Sequence, residues 1–158
     1  MRKSMFAVSA LLFTLSAVPA AMAASSGVYT RTVHQGMAVT MKALSRSLAM
    51  HHFKIVMKMD IGKKVAFAHR KLHFAHYNMN HLSDVRTIIF CNPVMFNALT
   101  NADPDMAAIC PLHVTLTTKQ GWTTIQYARA GYIAAGTPAE GVARRIESTV
   151  VSAINATK

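Results

Sequence analysis

Residues 86–93, RTIIFCNP, mark a change from strand to helix near the middle of the chain. The first five of them are mostly β-branched or aromatic, which is typical of a buried strand. Asn92 belongs to the residue types that cap helices, and Pro93 is favoured at the first helical position. The segment therefore predicts a strand over residues 86–90 and a short helix over residues 94–99.

Alternating or β-branched runs predict strands on both sides of this segment. They cover residues 28–34, 53–59, 112–118 and 122–127, and the last two flank a hairpin signal at residues 119–121. Apolar residues at helical spacing predict a helix capped by Thr40, and residues 62–77 have mixed helical character. A capping box formed by Thr137 and Glu140 predicts the start of the last helix.

The order of these elements predicts an α+β fold, a small two-layer sandwich in which a mixed or antiparallel sheet packs on helices. The apolar faces of strands and helices should then share one core. We expect these side chains to be buried in it: Leu44, Leu48, Phe53, Ile55, Ile88, Phe90, Val114, Leu116, Ile125, Ile146 and Val150.

Residues 1–23 have the features of a secretory signal peptide. Arg2 and Lys3 precede an apolar run over residues 5–18, and residues 21–23 (AMA) form a small-residue cleavage site. The apolar run is short for a membrane-spanning helix. We therefore expect a mature domain of residues 24–158 that is periplasmic or secreted.

The expected mature chain is strongly basic. Arg2 and Lys3 fall in the signal, so 15 of the 17 Lys and Arg residues remain beside 6 Asp and Glu, a formal charge of +9. For an exported protein, this charge favours an acidic protein or an anionic membrane surface as the partner. We expect no nucleic acid partner.

Residues 90–104, FCNPVMFNALTNADP, carry a family resemblance. Together with the HHF sequence at residues 51–53, the strand that ends at Asp60 and the step from Cys110 to Pro111, they resemble the domain-of-unknown-function 302 family. The resemblance covers roughly residues 27–130 and implies a small α+β sandwich, often a homodimer, with no established enzyme activity. The chain departs from the family pattern at His52, at Cys110 and in a longer, histidine-rich segment over residues 68–82.

Residues 69–81, HRKLHFAHYNMNH, are the main candidate for a ligand site. As a helix, the segment would place three imidazoles on one stripe, and imidazoles four residues apart can share a metal ion. Thioether and imidazole donors together suit copper or haem iron better than zinc. The candidate metal ligands are His69, His73, His76 and His81. The candidate contacts of a haem or copper cofactor are His73, His76, Met79 and Cys91.

The same segment can instead be a solvated basic face. Lys63, Lys64, Arg70 and Lys71 would repel a metal cation, and protonated histidines do not bind one. Methionine is also an ordinary core residue, so the methionine content alone does not indicate a site. No Cys-x-x-Cys-His motif occurs, which excludes covalent c-type haem attachment.

Cys91 and Cys110 are the two cysteines of the chain. In an oxidising compartment an even number of cysteines favours a disulfide, so this pair is a candidate bridge. Buried unreacted thiols and thiolate ligation are the alternatives.

No motif of a hydrolase or of a nucleotide-binding loop occurs in the sequence, which favours a protein without catalytic activity. The leading interpretation is an exported binding protein whose ligand is haem or copper. The alternative is a basic dimeric module without a cofactor, which docks an anionic protein or a membrane surface.

Overall fold

Five strands form one antiparallel sheet in the computed structural model, which describes residues 27–157. The strands are β1 (Val28–Val33), β2 (Lys54–Asp60), β3 (Asp84–Cys91), β4 (Leu112–Lys119) and β5 (Trp122–Ala128). Their order across the sheet is β1-β5-β4-β3-β2, and each neighbouring pair is antiparallel. The predicted α+β class is thus confirmed, with an antiparallel sheet. The signal peptide expected over residues 1–23 lies outside the described residues.

Five α-helices connect or follow the strands in the described chain. They are α1 (Met37–Met50), α2 (Ile61–Leu72), α3 (Pro93–Ala102), α4 (Ala130–Ile133) and α5 (Glu140–Asn155), and a 3-10 helix (Pro104–Ile109) follows α3. None of the helices within residues 27–157 combines the length and the apolar content that crossing a bilayer requires.

The core lies between one face of the sheet and the helices α1, α3 and α5, which also contact one another. Leu44 and Leu48 of α1 and Val150 of α5 are completely buried in it. Of the eleven side chains expected in the core, ten are buried, and Ile55 is partly buried against the others. The strand residues are buried as predicted because side chains along a strand alternate between the two faces of the sheet, and directly paired residues of an antiparallel sheet point to the same face.

The opposite face of the sheet is rich in threonine. Thr30, Gln126, Thr115, Thr87 and Met59 follow one another across the five strands in register. The hydroxyl oxygens of Thr87 and Thr115 lie 3.0 Å apart, which is a hydrogen-bond distance. An antiparallel sheet with a polar face of this kind is typical of one that meets water on that side.

Several helix ends differ from their predicted positions. Helix α1 begins at Met37, one turn before Thr40, whose hydroxyl donates to the Gly36 carbonyl inside the helix. Helix α5 begins at Glu140, and the Thr137 hydroxyl lies in the turn before it, where it donates to the Ala134 carbonyl and accepts from the Ala139 N–H at 3.2 Å. Helix α2 ends at residue 72, well before residue 77.

The predicted corner at Asn92 is confirmed. The side-chain oxygen of Asn92 accepts hydrogen bonds from the backbone N–H groups of Val94 and Met95, at 3.0 and 3.1 Å. Two donors at the start of α3 are thereby satisfied, and Pro93 needs none. Helix α3 is longer than predicted and continues to Ala102.

Strand β2 lies at one edge of the sheet. Its pairing with β3 shifts by one residue between Ile55 and Met57, so the strand contains a bulge. Lys54, Val56 and Lys58 of this strand are exposed.

Candidate functional site

The histidine-rich segment does not form the helical stripe that its spacing predicts. His73 adopts a left-handed conformation (φ 48°), and its N–H donates to the His69 carbonyl at 2.8 Å, which ends α2. Further left-handed residues follow at His76, Asn78 and His81. The chain therefore turns repeatedly after α2, and the histidines do not share one helix face.

The ring of His69 belongs to an aromatic cluster. It stacks on the Tyr77 ring, with centroids 4.4 Å apart and planes 6° apart, and it meets the Phe74 ring edge-on at 5.0 Å. Its Nδ1 atom is buried and has no hydrogen-bond partner within the described residues. Packing therefore fixes the orientation of this ring.

The candidate metal ligands His69, His73, His76 and His81 are not brought together as a ligand set. Within residues 27–157, no three His, Cys, Asp or Glu side chains form a group that could hold a metal ion. Metal binding at this segment receives no geometric support.

Cys91 is also far from the histidine segment. It is the last residue of β3, whereas Asp84, at the other end of this 8-residue strand, adjoins the loop that carries the histidines. At about 3.4 Å per residue the two ends are roughly 24 Å apart. A haem or copper site that combines Cys91 with His73, His76 and Met79 is therefore not assembled.

The two cysteines themselves are neighbours. Their Sγ atoms lie 3.2 Å apart, at the distance of a thiol hydrogen bond and not of a covalent bond, which is about 2.05 Å. Burial, followed by the hydrogen bond with Cys91, raises the pKa of the Cys110 thiol to about 12. The Cys110 thiol therefore stays protonated at neutral pH, which disfavours thiolate ligation. The disulfide stays a prediction, and the geometry places its two partners side by side.

A cleft of about 440 Å³ lies between α2, the loop that follows it and the start of β3. We call it the α2 cleft. Its apolar lining is supplied by Ile61, Val65, Ala66, Leu82 and Val85, and its polar lining includes Asp60, Tyr77 and Arg86. Clefts of a few hundred Å³ with an apolar wall and few polar groups are typical of small-molecule sites.

Helix α2 touches the sheet chiefly at its first turn. A Cβ atom on Gly62 would lie 3.2 Å from the backbone nitrogen of Val85, so a larger residue would require helix and strand to move apart by a few tenths of an ångström. Beyond that contact no residue of α2 is buried, although its apolar residues recur on one side. The space that these side chains would fill in a packed helix remains open as the α2 cleft.

A network of ion pairs forms the polar end of this cleft. The Oδ1 atom of Asp60 accepts a hydrogen bond from the Lys63 N–H at 2.9 Å and caps α2. Its Oδ2 atom lies 3.5 Å from Lys63 Nζ and 4.0 Å from Arg86 Nε. Arg86 Nη2 lies 3.0 Å from Asp84 Oδ2.

The network keeps its members charged. The hydrogen bond from the Lys63 backbone N–H is the largest cause that lowers the pKa of Asp60; burial opposes it, and the charges of Lys63 and Arg86 lower the pKa further. The hydrogen bond that the Arg86 guanidinium donates to the Asp84 carboxylate raises the pKa of Arg86. Both groups are therefore ionised over the whole neutral range.

A second cleft, of about 410 Å³, lies on the other side of this network, against α1. We call it the α1 cleft. It shares Asp60 and Arg86 with the α2 cleft, and Lys42 of α1 and Lys58 of β2 also line it. Three cationic side chains therefore face one carboxylate there.

Helix α2 and the loop after it expose large apolar side chains beside cations. Exposed fractions are 56% for Phe67, 74% for Leu72 and 66% for Met79. Arg70 Cζ and Lys71 Nζ lie 5.9 and 5.7 Å from the Phe67 ring centroid. We define the α2 surface as Lys64, Phe67, Arg70, Lys71, Leu72, Phe74 and Met79.

Sequence reasoning missed both clefts and the Asp60–Arg86 network. The available signal was an aspartate at the junction between a strand and a helix, which is a common capping position. Nothing in the local pattern indicates that Arg86, 26 positions further on, pairs opposite Asp60 in the sheet.

Comparisons with known proteins agree with the fold. The family described as "Domain of unknown function DUF302" matches residues 29–157. The crystal structure of an uncharacterized conserved DUF302 protein from Bacillus stearothermophilus is similar, with a TM-score of 0.73 and 19% sequence identity over 85% of this chain and 100% of that chain. At this identity the likeness concerns the fold alone. No curated protein matches the chain.

Proposed function

This chain belongs to the DUF302 family, and from its own surface we propose that it is a non-catalytic exported protein that docks on an anionic membrane through the α2 surface. The family description names no function, so the proposal rests on the residues of this chain. The homodimer that the family resemblance implies stays a prediction.

The observation that carries the proposal is an amphipathic helix whose apolar residues are not used in the core. No residue of α2 is buried, and Phe67 and Leu72 are mostly exposed. Helices that lie in a membrane interface combine large apolar side chains with lysine and arginine in this way. Removing one such side chain from water contributes roughly 1.5–3 kcal/mol.

The charges of the α2 surface complement an anionic bilayer. Lys64, Arg70 and Lys71 form no ion pair with a carboxylate in the described part of the chain. Each basic residue near an anionic surface contributes about 1 kcal/mol. Together with the apolar side chains, this supports reversible binding at the interface, without insertion across it.

Haem or copper has less support than membrane docking. The expected ligands are dispersed over a turning loop, and Cys91 lies at the other end of β3. We therefore favour the interpretation without a cofactor.

Vesicle binding tests the proposal. Mature protein should sediment with vesicles of phosphatidylglycerol and phosphatidylcholine and should bind much less to vesicles of phosphatidylcholine alone. The double variant Phe67→Ser with Leu72→Ser should lower the partition coefficient at least about tenfold, because two anchoring side chains are lost.

The matched control is Val94→Ser with Met50→Ser, since both side chains are exposed but lie outside the α2 surface. This control should bind like the wild type. Equal binding to neutral and anionic vesicles, or full binding by the Phe67 and Leu72 variant, would contradict the proposal.

A further inference from the structure

We propose that the α2 and α1 clefts form one binding site for a small amphiphilic organic anion, with its apolar part in the α2 cleft and its anionic group in the α1 cleft. The proposal goes beyond membrane docking and does not depend on it. It concerns the residues of α2 that line the cleft, whereas docking uses residues that do not line it.

The two clefts are joined by shared side chains. Asp60 and Arg86 line both of them, and these residues are directly paired between the edge strand β2 and β3. Each cleft, at about 440 and about 410 Å³, lies within the usual range for small-molecule sites. A ligand that occupies both must pass the Asp60–Arg86 pair and contact its charged groups.

The α1 cleft selects for negative charge. Lys42, Lys58 and Arg86 face it, and Asp60 is the only carboxylate among its lining residues. Asp60 already interacts with Lys63 and with Arg86, whereas Lys42 and Lys58 have no carboxylate partner within the described residues. Arg86 is paired with Asp84 and Asp60, so the charges of Lys42 and Lys58 leave a positive field that a carboxylate or phosphate group would neutralise.

The α2 cleft selects for an apolar group. Ile61 and Val65 supply one wall from the helix, and Leu82 and Val85 supply the other from the loop and from β3. Close approach at Gly62 holds the first turn of the helix against the sheet, so one end of the cleft is anchored. A preformed cleft costs less conformational entropy on binding than one that must be ordered.

Isothermal titration calorimetry in the absence of vesicles tests the site. Decanoate and decyl phosphate, each below its micelle concentration, are the anionic probes, and decanol is the neutral probe. We expect each anion to bind with a stoichiometry of one per chain and decanol to bind at least about tenfold more weakly. The ratio between the two anions then reports which head group the α1 cleft prefers.

Two pairs of variants separate the two halves of the site. Lys42→Gln with Lys58→Gln should weaken binding of the anions at least about tenfold and leave decanol unchanged, whereas the control Lys119→Gln with Arg145→Gln should change neither. Val65→Asn should weaken all probes, whereas Phe67→Asn should weaken none, because Val65 lines the cleft and Phe67 does not. All four altered lysine and arginine side chains are exposed, so thermal unfolding should show intact folds.

Absence of anion binding by the wild type would overturn the proposal, as would equal binding of decanol, or loss of binding in the control variants. The test also separates the two proposals. Phe67→Asn should impair vesicle binding and keep decanoate binding, so failure of one proposal leaves the other standing.

Discussion

Asp60 has two roles at the junction of β2 and α2, since it caps the helix and holds two cations. Its pKa in the folded chain lies below the ordinary value of 3.8. A group with a lowered folded pKa contributes stability that is fully present above the unfolded pKa. That contribution is lost as the pH falls through the folded pKa.

We predict that Asp60→Asn flattens the acid side of the stability profile. Asparagine keeps the capping hydrogen bond but cannot titrate, so the variant should lack the part of the decrease below about pH 4 that comes from this carboxylate. At pH 7 we expect Asp60→Ala, which removes the cap as well, to lower Tm by about 3 °C. Thermal unfolding followed by circular dichroism between pH 2 and pH 7 measures both effects.

Asp105→Asn is the control, because the Asp105 side chain forms neither a helix cap nor an ion pair in the described chain. It should keep the acid profile of the wild type. An Asp60→Asn profile that falls as steeply as that of the wild type would show that Asp60 does not contribute to acid sensitivity.

At the scale of elements, the strands and the core were predictable, because alternation directly reports which face of a strand is buried. The corner at Asn92 was predictable as well, since cap and proline lie together in the sequence. The end of α2 was not predictable from the sequence. Helical spacing continues through residue 76, but the helix ends where His73 adopts a left-handed backbone conformation. Nothing in the local sequence pattern predicts that conformation.

The candidate site was harder to predict from the sequence than the fold. Both clefts depend on the pairing of β2 with β3 and on the close approach at Gly62, which are tertiary features. Histidine spacing predicted a helical stripe that the chain does not form. The segment supplies the loop wall of a cleft through Tyr77 and Leu82, which are not histidines.

We predict that His73→Gly stabilises the protein. The left-handed conformation costs a non-glycine residue roughly 1 kcal/mol, and glycine is the residue most often found there at helix ends. The free energy of unfolding, measured by urea denaturation, should therefore rise by about 0.5–1 kcal/mol.

A helix continuing through residue 76 would give the opposite sign, because glycine inside a helix costs about 1 kcal/mol. His113→Gly, in strand β4, is the control and should destabilise the protein. The sign of the His73→Gly effect thus decides where α2 ends.

At the scale of the whole molecule, most of the carboxylates in the described chain are held in ion pairs. Asp60, Asp84, Glu140 and Glu147 each take part in an ion pair. Glu147, which is buried, binds Arg129 at 2.7 Å and accepts from the Gly131 N–H at 2.9 Å, so it joins α5 to α4. Most carboxylates are thus paired with a cation, and most of the surface charge that is not paired is positive.

We predict that vesicle binding depends strongly on salt. Between 0.05 and 0.5 M NaCl the screening length falls from more than 10 Å to less than 8 Å, which weakens attraction between exposed charges. The partition coefficient on phosphatidylglycerol vesicles should therefore drop at least about tenfold. The weaker binding that remains at high salt should come from the apolar side chains of Phe67 and Leu72. Sedimentation at several salt concentrations measures this, and a flat salt response would exclude an electrostatic contribution.

Strand β2 also affects whether copies of this protein aggregate at high concentration. A regular, apolar edge strand is a template onto which another chain can add, and repeated addition produces fibrils. The bulge between Ile55 and Met57 interrupts the regular spacing of backbone donors and acceptors along that edge, and the exposed Lys54 and Lys58 would meet the like charges of a second copy. The same irregular edge that borders the α1 cleft thus protects a concentrated solution of the protein from polymerising strand by strand.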